Sequence, residues 1–192
     1  MFLKVYTKIS LLLFTFFLIS GTIFPQGIVN TSGTYLVGNG AVKIVLNNGG
    51  FANNGTITPG NSELIFTGNS ATVNSFISGT GSTGLYKLTL NKTVNGIQLN
   101  SNISLSNILQ FTSGDSLCLN GHNIDLGSTG SLSGESGTKR VTGRTGGYIQ
   151  SVQTLNAPAG VNPGNLGFRI TSGANLGSTI IRRSHQQQSG AS

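Results

Sequence analysis

The chain has 192 residues, of which only 8% are charged, and its 11 lysines and arginines outnumber its 4 acids to give a formal net charge of +7. Ordinary soluble domains carry charge on roughly a quarter of their residues, so the positive balance reflects scarce acids rather than abundant bases. The bases are scattered and the sequence has no Trp, whereas nucleic-acid binding needs a dense basic surface, often with aromatic side chains that stack on bases. We therefore expect no nucleic-acid partner.

The first 26 residues have the pattern of a secretory signal peptide. Lys4 and Lys8 supply a positive leader, the apolar run Ile9–Ile19 follows, and small residues come next at Ser20–Thr22. Because the run is shorter than the roughly 20 apolar residues that a membrane span needs, a short N-terminal anchor is the less favoured alternative. We predict cleavage near Gln26, no membrane span in the mature chain, and a secreted, extracellular or cell-surface location.

Beyond residue 26 the sequence predicts short strands separated by tight turns. Apolar and polar residues alternate in runs such as Val42–Leu46 and Leu88–Leu90, a period of two that is typical of strands with one buried face. Asn and Gly end many of these runs, as at Asn47–Gly50 and Asn120–Gly121, because both tolerate the left-handed backbone of sharp corners. Asn-Gly turns also favour antiparallel hairpins, so a β-sandwich is the competing fold.

A recurring interval of about twenty residues favours a solenoid over a sandwich. Leu99 and Asn100 recur as Leu119 and Asn120, and such periodicity marks stacked units that bury their apolar sides only against their neighbours. The same interval of twenty or twenty-one residues relates Ile97 and Leu117, Ile103 and Ile124, Leu105 and Leu126, Ile44 and Leu64, Leu46 and Phe66, Leu88 and Leu109, Leu90 and Phe111, and the series Ile57, Ile77, Ile97 and Leu117. The predicted fold class is an all-β, parallel β-helix (β-solenoid) with about 20–21 residues per turn.

The extent of the repeat divides the chain into three parts. Residues 1–26 are the predicted signal peptide, and residues 27–145 are the predicted solenoid, in which Gly27–Val37 is expected to cap the N-terminal end. The period fades in residues 146–192, where Leu166–Ile170 and Thr179–Arg182 have the pattern of strands from an incomplete β module that ends in a polar tail. We expect the sequence to be a fragment of a longer protein.

The repeat resembles that of a known class of surface proteins. Segments Leu85–Asn91, Ile97–Asn100 and Leu117–His122 are similar to the adhesin-like parallel β-helix repeats of large secreted surface proteins of Bacteroidetes, and Val141–Ile149 and Leu166–Arg183 are similar to the region C-terminal to the repeat in those proteins. The resemblance implies a right-handed β-solenoid, export across both membranes, and a role at the cell surface or in the extracellular matrix. Members of this class are often clients of the type IX secretion machinery.

One pair of acids suggests an enzyme. Asp115 and Glu135 are twenty residues apart, so the predicted period places them one turn apart on the same side, where their carboxyls could approach the spacing of a retaining glycosidase pair. Both acids lie in Gly/Ser turns, where an acid is ordinarily solvated, and no aromatic residues flank them to hold a sugar. A carbohydrate-active β-helix enzyme of glycosidase or lyase type is therefore kept only as the alternative function.

The cysteine and the histidines offer no stronger site. Cys118 alternates with Leu117 and Leu119, so its side chain should point away from theirs. His122 is the nearest base that could activate the thiol, but the expected role of Cys118 is that of a small filler residue. Neither His122 nor His185 has a second ligand at a spacing suited to a metal, so we assign no catalytic, cofactor-binding or metal-binding residue and expect no cofactor.

These observations favour a structural or adhesive role over catalysis. The sequence predicts a non-catalytic, exported β-solenoid module of a bacterial surface or extracellular-matrix protein. Outward Asn, Thr and Ser side chains would contact glycans or other matrix components through many weak hydrogen bonds, and stacking could also place them in hydrogen-bonded rows.

Overall fold

The computed structural model describes residues 27–114, 116–143 and 145–186. Almost all of the regular structure in these ranges is β-strand. In chain order the strands are β1 (Gly27–Asn30), β2 (Tyr35–Val37), β3 (Lys43–Asn47), β4 (Gly50–Asn53), β5 (Thr56–Thr58), β6 (Glu63–Gly68), β7 (Ser75–Ser78), β8 (Thr83–Lys92), β9 (Ile97–Leu99), β10 (Ile103–Phe111), β11 (Leu117–Cys118), β12 (Ile124–Asp125), β13 (Ser131–Ser133), β14 (Val141–Thr142), β15 (Thr145–Asn156), β16 (Ala159–Val161), β17 (Ile170–Thr171) and β18 (Asn175–Gln186). A 3-10 turn, Pro163–Asn165, lies between β16 and β17.

The strands stack into a β-solenoid of about 6 turns, as the repeat predicts. One wall is a six-stranded parallel sheet in the order β1-β4-β7-β9-β11-β14, and a second wall follows β3-β6-β8-β10-β12-β15-β18, with β13 also paired to β10. A short parallel pair, β2 with β5, completes the first turns. Within the described residues, antiparallel pairing is confined to β15 with β18 and β16 with β17, so the competing β-sandwich is wrong.

The register confirms most of the predicted pairs. Ile97 lies beside Leu117, and Ile103 lies beside Ile124. The same is true of Ile44 with Leu64, Leu46 with Phe66, Leu88 with Leu109, and Leu90 with Phe111. Like residues therefore stack on like residues from one turn to the next.

One predicted series is wrong, because the turns differ in length. Ile77 lies beside Leu99 rather than Ile97, and Ile57 lies beside Leu36 in a different sheet. The step between neighbouring turns is 20 residues from Thr83 to Ile103 but 26 from Phe51 to Ile77. The extra residues enter between Thr67 and Ile77, at the corner that begins with Gly68, whose φ is 114° and where an added Cβ would lie 2.2 Å from Asn48 Oδ1.

Aliphatic and aromatic side chains fill the interior. Leu99, Leu109 and Phe66 are fully buried, in one continuous apolar cluster that runs through the turns. Burial of one such side chain contributes roughly 1.5–3 kcal/mol. The alternation of buried and exposed positions in β3, β6 and β10 explains why a period of two in the sequence identifies these strands.

Hydrogen-bonded asparagine rows connect successive turns. The buried Asn30 amide donates to Asn53 Oδ1 at 2.7 Å, and the Asn120 amide donates to Asn100 Oδ1 at 3.1 Å. Asn102 Oδ1 accepts the Asn123 backbone N–H at 2.9 Å. The predicted rows of polar side chains are thus present, and part of the hydrogen-bonding capacity of these amides is used within the fold.

The two ends of the solenoid differ. Gly27–Val37, expected to form a cap, instead forms β1 and β2, which pair in parallel with β4 and β5 like any other turn. At the other end β15 stacks in parallel on β12 and then pairs with the antiparallel β18. The adjacent Leu166 is buried, at 1% exposure, so this end is closed by chain that departs from the repeat.

Candidate functional site

Glu135 is held in an ion pair with Arg183. The Arg183 guanidinium donates two hydrogen bonds to the Glu135 carboxylate, at 2.7 and 2.8 Å, and the Val141 backbone N–H donates a third at 2.8 Å. At this level Leu117 lies beside Val141, a step of 24 residues, so the twenty-residue step that aligned Asp115 with Glu135 does not hold here. Asp115 itself lies outside the described residues, as does the predicted signal peptide.

Cys118 occupies the expected outward position on β11. Leu117 and Leu119 on either side are fully buried, whereas Cys118 is half-buried and lies beside Gln98 and Thr142 of the neighbouring turns. Both Cys118 and His122 are described, and no hydrogen bond joins the two. The arrangement therefore supplies no base for the thiol.

His185 lies on β18, close to the Glu135–Arg183 pair. Burial lowers the pKa of the His185 imidazole, and the nearby Arg183 charge lowers it further. Its Nε2 atom has no hydrogen-bond partner within the described residues. The described part of the chain contains no group of three or more His, Cys, Asp or Glu side chains placed to hold a metal ion.

A second charged cluster, not predicted from the sequence, crosses three turns. Glu63 of β6 lies 3.0 Å from Lys87 Nζ and 3.8 Å from Lys43 Nζ, and it accepts a hydrogen bond from Thr89 Oγ1 at 2.5 Å. Burial by itself raises the pKa of Glu63, but the Thr89 hydrogen bond and the two lysines outweigh it, so the pKa is lowered below its ordinary 4.5. The register places Lys43, Glu63 and Lys87 side by side. In the sequence, such a cluster is indicated by residues of opposite charge that alternate at about the interval of one solenoid turn.

A concave region lies on the wall formed by β8, β10 and β12. It consists of two adjoining depressions, of about 520 and 380 Å³, that share Ser104 and Asp125. The first extends over the corner residues Gly79–Thr83 and Ser101–Asn102, and the second extends over Gly84–Leu85 and Leu126–Thr129. Hydroxyl groups, backbone and the Asp125 carboxylate line the first depression, and apolar side chains such as Leu85 and Leu126 also line the second, so their surfaces combine hydrogen-bonding groups with apolar contact.

An apolar cavity of about 290 Å³ lies at the N-terminal end of the solenoid. Ile28, Leu36 and Ile44 of the first turn line it, and Phe51 and Leu64 of the next turn form its floor. All three first-turn residues are only partly buried. Because core residues such as Phe51 and Leu64 line it, the cavity is continuous with the apolar interior of the described residues and is not a separate site.

Comparison of the chain with protein-family models, with curated proteins and with solved structures gave no match. None of the described residues belongs to a helix of the length and apolarity that a membrane crossing requires.

Proposed function

We propose that the protein is a non-catalytic, exported structural and adhesive module of a bacterial surface or extracellular matrix. The observation that carries this proposal is the contrast between the filled apolar interior and the polar outer walls. Beyond the first turn, whose outer face also carries exposed apolar residues such as Tyr35 and Val45, the walls present Ser, Thr, Asn and Gln groups on successive strands about 4.8 Å apart. Such a rod suits many weak hydrogen bonds to a polymer such as a glycan.

Export is proposed from the sequence of residues 1–26 alone. The positive leader, the apolar run and the small residues after it are those of a cleaved signal. The similarity of the repeat to surface proteins of Bacteroidetes supports the same location, with type IX secretion as the proposed route.

The proposed location is tested by expression of the full chain in a Bacteroidetes host. The protein should be found in the medium or on protease-accessible cell surface, and N-terminal sequencing should place the new terminus near residue 26. Retention of an uncleaved chain in the cytoplasm would contradict the proposal.

The absence of catalysis is proposed because Glu135 is engaged with Arg183, whose guanidinium donates a hydrogen bond to each of the two carboxylate oxygens. The test compares the wild-type chain with the double variant Asp115→Asn, Glu135→Gln. Incubation of each with neutral and acidic polysaccharides should release no reducing ends or unsaturated products. Turnover by the wild type that the double variant loses would establish the carbohydrate-active enzyme instead.

A further inference from the structure

The two depressions on the β8–β10–β12 wall have the features of one binding site. We propose that they bind a short segment of neutral glycan, with sugar residues in both depressions and the Ser104–Asp125 column between them. This inference rests on the proposed adhesive function and gives it a location and a ligand class.

Asp125 is the acidic residue of this site, and its carboxylate is available to accept a hydrogen bond from a ligand. The described residues contain three acidic side chains, of which Glu63 and Glu135 form ion pairs. Asp125 makes no ion pair in the described part of the chain, and its Oδ1 accepts one hydrogen bond, from the Gly127 backbone N–H at 2.8 Å. That bond orients the carboxylate, and the second oxygen is left to accept a hydroxyl group.

A second polar atom in the site also lacks a partner. Ser101 lines the first depression, and its buried hydroxyl oxygen makes no hydrogen bond within the described residues. A buried hydroxyl without a partner carries a free-energy penalty. The Ser101 residue is only partly buried, so rotation of its side chain would expose the hydroxyl to a sugar in the depression, which would be the partner that the fold does not supply.

Gly84 lines the second depression, and the backbone conformation there does not require glycine. It lies beside Ser104 in the register, and its φ is not in the left-handed region. An added Cβ would meet only the Ser104 hydroxyl, at 3.4 Å. Most of the corner glycines are fixed by close backbone contact, as Gly79 is by the Asn53 backbone, but nothing in the packing demands glycine at position 84. Its missing side chain deepens the second depression.

The charge around the site selects among glycans. Asp125 is the charged side chain that lines the two depressions, and its carboxylate repels an acidic polymer while it accepts hydroxyl donors. Arg182 lies two turns away in the same column, where its Nε donates to Gln150 Oε1 at 2.9 Å and its guanidinium lies 4.6 Å from the centre of the Tyr148 ring. Arg182 is thus already engaged, and the charge that lines the two depressions themselves is negative, so the site favours a neutral chain over an acidic one.

The test is a depletion assay of the full chain on amorphous cellulose, insoluble xylan and chitin, with heparin beads as the acidic comparison. Ser104→Arg places a long side chain between the depressions, and Asp125→Asn removes the charge while it keeps an acceptor for the Gly127 N–H. Gln98→Arg is the matched control, since Gln98 is equally exposed on the same turn but on the six-stranded wall. Circular dichroism verifies that each variant is folded.

The inference predicts binding to at least one neutral polymer. Ser104→Arg should weaken it at least tenfold and Asp125→Asn severalfold, and Gln98→Arg should leave it unchanged. Neutral binding that Ser104→Arg leaves intact would overturn the location but not the adhesive function. Binding to heparin alone would overturn the ligand class, and binding to none of the polymers would overturn both the inference and the proposed adhesion.

Discussion

The N-terminal and C-terminal ends of the solenoid differ in how the described residues cover the last turn. A stack of parallel strands exposes unpaired backbone and apolar interior at each end. At the C-terminal end, the antiparallel β18 and the buried Leu166 close the stack. At the N-terminal end, Ile28, Leu36 and Ile44 are only partly buried and face an apolar cavity of about 290 Å³.

The difference shows that closure requires a departure from the repeat. Residues that follow the period, such as Gly27–Asn30, simply add another turn with the same open face. At the closed end the 3-10 turn packs against β13 and β15, and the Asn165 amide donates to the Leu132 carbonyl at 2.7 Å. Exposed apolar side chains occur in both regions, with Tyr35 74% exposed in the first turn and Ile180 56% exposed on β18, so the contrast between the ends concerns the interior and not the outer surface.

The largest predicted difference in the free energy of unfolding is between a substitution in the middle of the solenoid and one in its first turn. Leu99→Ala removes a fully buried side chain that has a neighbouring turn on both sides, and we expect a loss of about 3–4 kcal/mol in the free energy of unfolding. Ile28→Ala in the first turn should lose about 1 kcal/mol, because Ile28 is only partly buried. Urea denaturation of both variants measures the difference. Equal losses would mean that the first turn is packed as tightly as the middle.

A smaller effect tests the closed end. Leu166→Ala should lower the free energy of unfolding by about 2–3 kcal/mol, because the side chain is buried but its short segment can partly relax into the space. Amide exchange of β15 should accelerate in the same variant while β4 is unaffected. A loss of unfolding free energy as small as that of Ile28→Ala would show that the C-terminal end is packed no more tightly than the N-terminal end.

The smallest effect concerns the ion cluster that links the first turns. Because the pKa of Glu63 is lowered in the folded chain, the stability it contributes is present above pH 4.5 and is lost as the pH falls through the lowered pKa. Its lysine partners are partly exposed, at 29% and 69%, so the contribution should be about 0.5–1 kcal/mol. Glu63→Gln should lower the urea midpoint at neutral pH, and the gap to the wild type should close in acid. A gap that is constant with pH would exclude the ion cluster as its cause.

The sequence predicts the fold well where stacking alone decides the structure. The pairing of Leu88 with Leu109 and of Ile103 with Ile124 follows from like residues at a fixed interval. The position of Ile77 does not, because corner insertions of several residues change the step without disturbing the alternation within strands. The antiparallel β18 is likewise unpredictable from the period, since it leaves the repeat.

The site is less predictable than the fold. Asp125 is ten residues in sequence from each of the two acids that the interval relates, Asp115 and Glu135, and its availability depends on which other acids find basic partners. The Glu135–Arg183 pair joins residues 48 positions apart, and Arg183 lies on β18, outside the repeat. The second depression is deepened by the absence of a side chain at Gly84, and no sequence motif predicts such a depression.

The most direct test of the parallel stack uses the lone native cysteine. Gln98 lies beside Cys118 in neighbouring parallel strands, at a spacing that a disulfide can bridge. The Gln98→Cys variant, oxidised as a dilute monomer, should form an intramolecular disulfide with Cys118 that peptide mapping identifies, whereas Ser104→Cys on the other wall should leave Cys118 free. Failure of Gln98→Cys to link to Cys118, or a link formed equally well from position 104, would contradict the solenoid.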